Sequence, residues 1–161
     1  MKEVIVSGGQ TGADQAGWRA AKAAGIATAG WMPKGFLTED GPRPEFAEMY
    51  GAKQTTSTTY PERTRLNARL GNITLWFGDP SSRGGKATLK ECGIYLRIWP
   101  EHPQFDWKVA RVAEWLSSPN PGCRILNIAG NRESSAPGIG EWVEAYMREV
   151  FRLLGVEAPP N

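Results

Sequence analysis

Short apolar runs alternate along this chain with amphipathic or small-residue stretches, and glycine marks most of the junctions. Residues 2–7 contain the β-branched run Val4-Ile5-Val6 and end at Gly8-Gly9, where the backbone turns without a Cβ, so a first strand is expected there. Over 12–24, small residues recur at Ala13, Ala16, Gly17, Ala20, Ala23 and Ala24, predicting a helix that lies close on a sheet and stops at Gly25. Residues 26–30 read as a second strand, followed by a long polar loop from Trp31 through Pro42. A short strand is expected around 53–58. Tyr60-Pro61 then opens a helix over 62–70, with Pro61 suited to its first turn and Gly71 to its end.

The second half repeats this pattern. Residues 73–77, Ile-Thr-Leu-Trp-Phe, read as a buried strand and break at Gly78-Asp79-Pro80; a loop over 81–85 leads into a helix over 86–92. Another strand is expected at 94–99, then a proline-rich loop with His102, a helix near 105–116 and a last strand at 124–128. Ser134 and Ser135 offer caps for a final helix with Pro137 in its first turn. Its sheet-facing stripe is Ile139, Trp142, Val143, Tyr146, Val150, Leu153 and Leu154. Strands alternating with helices imply an α/β chain of Rossmann-like, three-layer α/β/α build with a mainly parallel sheet. Ligands of such sheets bind at the carboxyl ends of the strands. One domain is expected over 1–157, with 158–161 a frayed end.

Composition narrows the function classes. The 40% hydrophobic and 22% charged residues are those of a globular protein, and no apolar run approaches the roughly 20 residues of a membrane span, so no membrane association is expected. The opening Met1-Lys2-Glu3 runs straight into strand, without a basic stretch and long apolar segment; the expected compartment is the cytoplasm. Cys92 and Cys123 make no disulfide framework and lack zinc-ligand spacing, so they read as small hydrophobes. A net charge of +2 is too mild for a nucleic-acid partner, yet compatible with a small anionic ligand.

Three loops carry the candidate chemistry. The first, Ser7-Gly8-Gly9-Gln10-Thr11-Gly12-Ala13-Asp14, combines glycine amides with a helix start, a combination suited to phosphate. It lacks the Gly-Lys-Ser/Thr ending of a Walker A loop, and Ser7 stands where the dinucleotide fingerprint needs glycine. A carboxylate beside phosphate would repel it, so Asp14 is left to bond a ribose or pterin group, ligate a metal, or cap its helix. The second loop, Arg83-Gly84-Gly85-Lys86-Ala87-Thr88, puts glycines and a hydroxyl between cations. The third runs from Ala129-Gly130-Asn131-Arg132 through Ser134-Ser135 to Pro137-Gly138-Ile139-Gly140, and brings Arg132 to the same edge. The plain reading of Arg63 and Asn67, four residues apart, is a solvated helix face. Lone His102 reads as a loop surface residue, and Trp31 as loop packing or a stacking platform. No metal site is assigned.

Several of these stretches together resemble the molybdenum cofactor carrier protein family. They are Gly8-Gly9-Gln10-Thr11-Gly12-Ala13-Asp14, Gly30-Trp31-Met32-Pro33-Lys34-Gly35 with Glu39-Asp40-Gly41-Pro42, Arg63-Thr64-Arg65-Leu66-Asn67, and Asn127 through Ser134 with Pro137-Gly138-Ile139. The resemblance implies a Rossmann-like fold within a wider group of nucleotide-ligand-binding domains. It also implies a homo-oligomer, dimer or tetramer, and binding rather than catalysis, with molybdenum cofactor (molybdopterin) or a related nucleotide as the phosphate-bearing ligand. The binding residues so expected are Gly8, Gly9, Gln10, Thr11, Gly12, Asp14, Lys34, Gly84, Gly85, Thr88, Arg132 and Gly138. The second loop is also similar to the Pro-Gly-Gly-x-Gly-Thr-x-x-Glu motif of lysine-decarboxylase-like phosphoribohydrolases. Gly84, Gly85, Thr88 and Glu91 match it, with Arg83 for its proline and Ala87 for its third glycine. That alternative would release a free base from a nucleotide 5′-monophosphate, with Glu91 assisting cleavage and Arg63 clamping phosphate.

Overall fold

The computed structural model describes residues 4–99, 108–120 and 122–156. Its elements run β1 (Val4–Val6), α1 (Ala13–Ala23), β2 (Ala27–Met32), β3 (Leu37–Thr38), β4 (Gly41–Pro42), α2 (Phe46–Tyr50), β5 (Ala52–Gln54), α3 (Tyr60–Leu70), β6 (Ile73–Phe77), α4 (Arg83–Leu89), β7 (Tyr95–Ile98), α5 (Val109–Ser117), β8 (Ile125–Gly130) and α6 (Ile139–Leu153). Six strands form one sheet in the order β5-β2-β1-β8-β6-β7, every neighbouring pair parallel. Helices α1, α5 and α6 pack together over the sheet, while α3 and α4 pack against each other and on β8, with α3 also on β2. This is the α/β, Rossmann-like architecture expected from the alternation.

The small face of α1 explains how closely the layers approach. A Cβ on Gly17 would lie 2.7 Å from Ile128 Cγ2, so a side chain there would push α1 off β8. Above α1, α6 buries Ile139, Val143, Tyr146, Met147, Val150 and Phe151, a stripe at helical spacing. Trp142 and Leu153 of the expected stripe stay exposed at its margins, and Met147 and Phe151 take their place in the core. A satellite core collects Trp18, Met32, Phe46, Tyr50 and Ala52 under α2. Trp18 stacks on Tyr50 at 4.8 Å and meets Phe46 edge-on at 5.8 Å.

Four local differences from the sequence reading bear on the site. The long loop after β2 is not featureless: β2 continues to Met32, and β3 and β4 form a small antiparallel hairpin with Glu39 and Asp40 at its tip. Helix α4 begins at Arg83, so Gly84 and Gly85 belong to its first turn, capped by Ser82 accepting from the Gly85 N–H. Helix α6 begins at Ile139 behind Gly138 (φ 89), not at a Ser134 or Ser135 cap. The Arg63–Asn67 face is not solvated: Asn67 is buried and bonds the Trp31 backbone in both directions, at 2.8 and 2.9 Å. Cys123 is buried and Cys92 half-buried. His102, the first residues of the 105–116 helix, and 158–161 fall outside the described residues. Among those described, no helix is long and apolar enough to cross a membrane.

Candidate functional site

The strand registers bring the loops to one edge. Val6 pairs with Asn127, and Phe77 with Gly130, so the segments leaving β1, β6 and β8 emerge side by side. Between them and the start of α3 lies a cleft of about 680 Å³. That size suits a mononucleotide-sized ligand. Gln10 and Asp14 come from the first loop, Trp76 from β6 and Gly84 and Thr88 from α4. Tyr60 and Arg63 come from α3, and Asn131 and Arg132 follow β8.

Asp14 and Arg63 form its buried inner end. Arg63 Nη1 donates to Asp14 Oδ2 at 2.9 Å, and the Gln10 N–H donates to the same oxygen at 3.2 Å. Burial pushes the Asp14 carboxyl above its ordinary range; the adjacent Arg63 guanidinium acts in the opposite direction without cancelling it. Gly8 lies directly beneath this pair, where a Cβ would come within 1.7 Å of Arg63 Nη1. Ser7, the residue in place of the fingerprint glycine, has its Oγ 3.0 Å from the Asp14 carbonyl and 2.9 Å from that of Ile128, tying β1, α1 and β8 together.

Three cleft-lining side chains carry a buried N–H without a protein acceptor: Gln10 Nε2, Arg63 Nε and Trp76 Nε1. Gln10 cannot escape this by turning its amide, because Oε1 already accepts from the backbone N–H groups of Thr11 (3.0 Å) and Glu39 (2.9 Å). Buried donors without partners are uncommon and costly, and these three belong to residues that share one cleft. Arg83 and Arg132 add positive charge at the rim. The Tyr60 ring carries two guanidinium groups, Arg63 at 5.1 Å and Arg132 at 5.3 Å from its centroid. Asn131 staples the loops, accepting from the Asp79 N–H at 2.8 Å and donating to Ser82 Oγ at 3.2 Å.

Of the residues expected from the sequence, Gln10, Asp14, Gly84, Thr88 and Arg132 line this cleft, with Arg63 of the alternative reading. Gly9 packs on Met32 and Gly12 on the backbone around Arg132. Gly85 packs under the Pro80 carbonyl. Thr11 Oγ1 donates to Glu39, whose carboxylate also accepts from the Ser134 hydroxyl and, at 3.1 Å, from the Ser134 N–H. Partial desolvation pushes Glu39 up, but these hydrogen bonds outweigh it and hold the carboxyl below its ordinary value. The Gly138 N–H donates to the Glu133 carboxylate at 3.1 Å, and Lys34 is exposed and not among the cleft-lining residues, its N–H bonded to the Ser57 carbonyl. The amides of Gln10, Thr11 and Ala13 are likewise taken by Asp14, Gln10 and the Asn131 carbonyl. Side chains, more than bare loop amides, therefore face the ligand space. Trp76 and Tyr60 were missed because an apolar strand and a helix start read as structure. Asn131 and Glu39 already stood inside the family-like stretches.

Glu91 turns away from the cleft and bonds exposed Arg69 at 3.1 Å, as an ordinary helix carboxylate does. The phosphoribohydrolase alternative thus lacks its acid at the cleft. Among the described residues no three His, Cys, Asp or Glu side chains form a metal-ligand group.

A parallel sheet with helices on both faces and a polar cleft at its strand ends defines a Rossmann-like ligand-binding class. Within it, the chain belongs to the circularly permuted YpsA SLOG family, whose model matches residues 5–151. A protein from Syntrophus aciditrophicus SB, provisionally described as a molybdenum carrier protein and crystallised at 1.45 Å resolution, is similar with a TM-score of 0.78. Its sequence identity is 26%, covering 95% of this chain and 94% of the other. No curated protein matches the chain.

Proposed function

We propose that the chain binds a phosphate-bearing nucleotide or pterin ligand in this cleft, molybdenum cofactor foremost, and carries or stores it without turning it over. The observation that carries this reading is that three residues lining one cleft, Gln10, Arg63 and Trp76, each hold a buried N–H without a protein acceptor, while Arg83 and Arg132 line the same cleft. The residues fit such a group: the rim arginines would take its phosphate, and the inner donors its ring acceptors. When bound, the cofactor would bring its own metal and dithiolene chemistry; the chain's part is to hold and shield it. Family membership and the likeness to a protein described as a molybdenum carrier support the choice of cargo.

In this reading Gly8, Gly9, Thr11, Gly12, Gly85 and Gly138 shape the loops, and Lys34 stands apart from the ligand. The chain works in the cytoplasm as a homo-oligomer. Native mass spectrometry of protein purified from cells tests cargo and assembly together. The expected spectrum shows a dimer or tetramer with a phosphate-containing mass on each subunit, and Arg132→Ala lowers occupancy about tenfold. Bare polypeptide mass, together with no affinity for nucleoside monophosphates or inorganic phosphate in calorimetry, overturns it.

A further inference from the structure

We infer that the buried end of the cleft recognises the amide edge of a 2-amino-4-oxo ring, of the guanine or pterin kind, through Gln10 and Asp14, while the ligand's phosphate lies outward at Arg83 and Arg132. This rests on the cleft being a ligand site, as proposed above, and adds the ligand's orientation and ring chemistry.

The charges divide the cleft into two ends. Asp14, the one carboxylate among the described cleft-lining residues, is buried and paired with Arg63, with Arg132 near enough to act on it as well; exposed Arg83 and half-exposed Arg132 put positive charge on the outer side. A phosphate pushed inward would meet a carboxylate that is 3% exposed, with little water to screen the repulsion, whereas at the rim it meets two guanidinium groups. The anionic part of a ligand therefore points out and the ring points in.

The inner end then specifies the ring. Gln10 is 5% exposed and its Nε2 is fixed as a donor without a partner, because Oε1 is held by two backbone N–H groups. Beside it stands Asp14, linked through the 3.2 Å bond from the Gln10 N–H. Both of the bonds that Asp14 accepts fall on Oδ2, which leaves Oδ1 for a ligand donor. A donor next to an acceptor matches a ring carbonyl next to a ring N–H. A 2-amino group adds a second hydrogen for the carboxylate, so guanine and pterin present the full complement. Hypoxanthine lacks the amino group. Adenine presents the reverse pattern and no carbonyl.

Isothermal titration of the purified full chain with GMP, IMP, AMP, 6-hydroxymethylpterin and inorganic phosphate tests this. The expected ranking is GMP over IMP over AMP, with about tenfold or more between the first and last, and 6-hydroxymethylpterin competing with GMP. Gln10→Glu keeps the acceptor for Thr11 and Glu39 but removes the donor, and should bring GMP and AMP within about twofold. The wild-type ranking decides even if Gln10→Glu or Asp14→Asn folds poorly. AMP binding as tightly as GMP, or phosphate and AMP binding while GMP and the pterin do not, overturns the ring assignment and leaves the cleft reading standing. No binding by any probe overturns both.

Discussion

At the scale of single residues, the site rests on a buried ion pair held above a glycine. Removing one member of such a pair leaves an uncompensated charge in a poorly solvated place, which typically costs about 3 kcal/mol or more. Gly8→Ala has the same effect without touching either charge, since its methyl needs the space of Arg63 Nη1. Thermal unfolding should show Gly8→Ala and Arg63→Ala destabilised to a similar degree, with the double variant much better than the sum; additive losses would mean the glycine serves something else. Two carboxyls give opposite pH dependences. Glu39 has a folded-state pKa below its ordinary 4.5, so its contribution to stability is present above that value and is lost as pH falls through the lowered one. Asp14, raised above 3.8, favours the folded state most below that value and loses this as pH rises through its folded-state pKa. Unfolding midpoints measured from about pH 6 down to pH 3 should therefore fall less steeply in Glu39→Gln than in wild type. An unchanged slope would remove Glu39 as a latch between the hairpin, Thr11 and Ser134.

At the scale of elements, the hairpin and α2 behave as an annex to the sheet. They are joined to it through the Trp18, Phe46 and Tyr50 cluster and through Glu39. Phe46→Ala removes a 2% exposed ring and should cost about 3 kcal/mol, with the loss concentrated locally. Hydrogen exchange should speed up over 33–54 while β1, β6 and β8 keep their protection; uniform acceleration would show one indivisible core. These same elements were the ones the sequence hid. Strand β6 was legible to the residue because four apolar residues and a β-branched threonine between glycine-containing turns admit little else, and α1 because its small residues repeat at helical spacing. A five-residue helix such as α2 spans less than two turns, so it shows no period, and two-residue strands show none either. The site divided along the same line. Gln10, Asp14, Gly84, Thr88 and Arg132 sit in glycine-marked loops and could be named in advance. Trp76 lies in a strand whose hydrophobicity concealed its N–H, and the turning of Glu91 toward Arg69 depends on tertiary packing alone.

At the scale of the molecule, strand order carries the argument. The last strand, β8, lies at the centre of the sheet between β1 and β6. Counted from β8, the sheet reads 4-3-2-1-5-6, an order with a single reversal between the first strand and the fifth, and the cleft lies at that reversal. In the chain as it stands, β8 must instead find its place between two strands made much earlier, which raises the share of distant contacts. Strand β8, helix α6 and parallel β1 already have the spatial arrangement of a βαβ unit that lacks only its second connection. A variant with its two ends joined by a short flexible linker and opened between α5 and β8, near Pro119, completes that unit without moving any cleft residue. Refolding followed by tryptophan fluorescence should be faster in this variant, with an unfolding midpoint within a few degrees of wild type and the same GMP titration. A variant that folds but no longer binds would show that the present connectivity, and not the arrangement of strands alone, holds the cleft together.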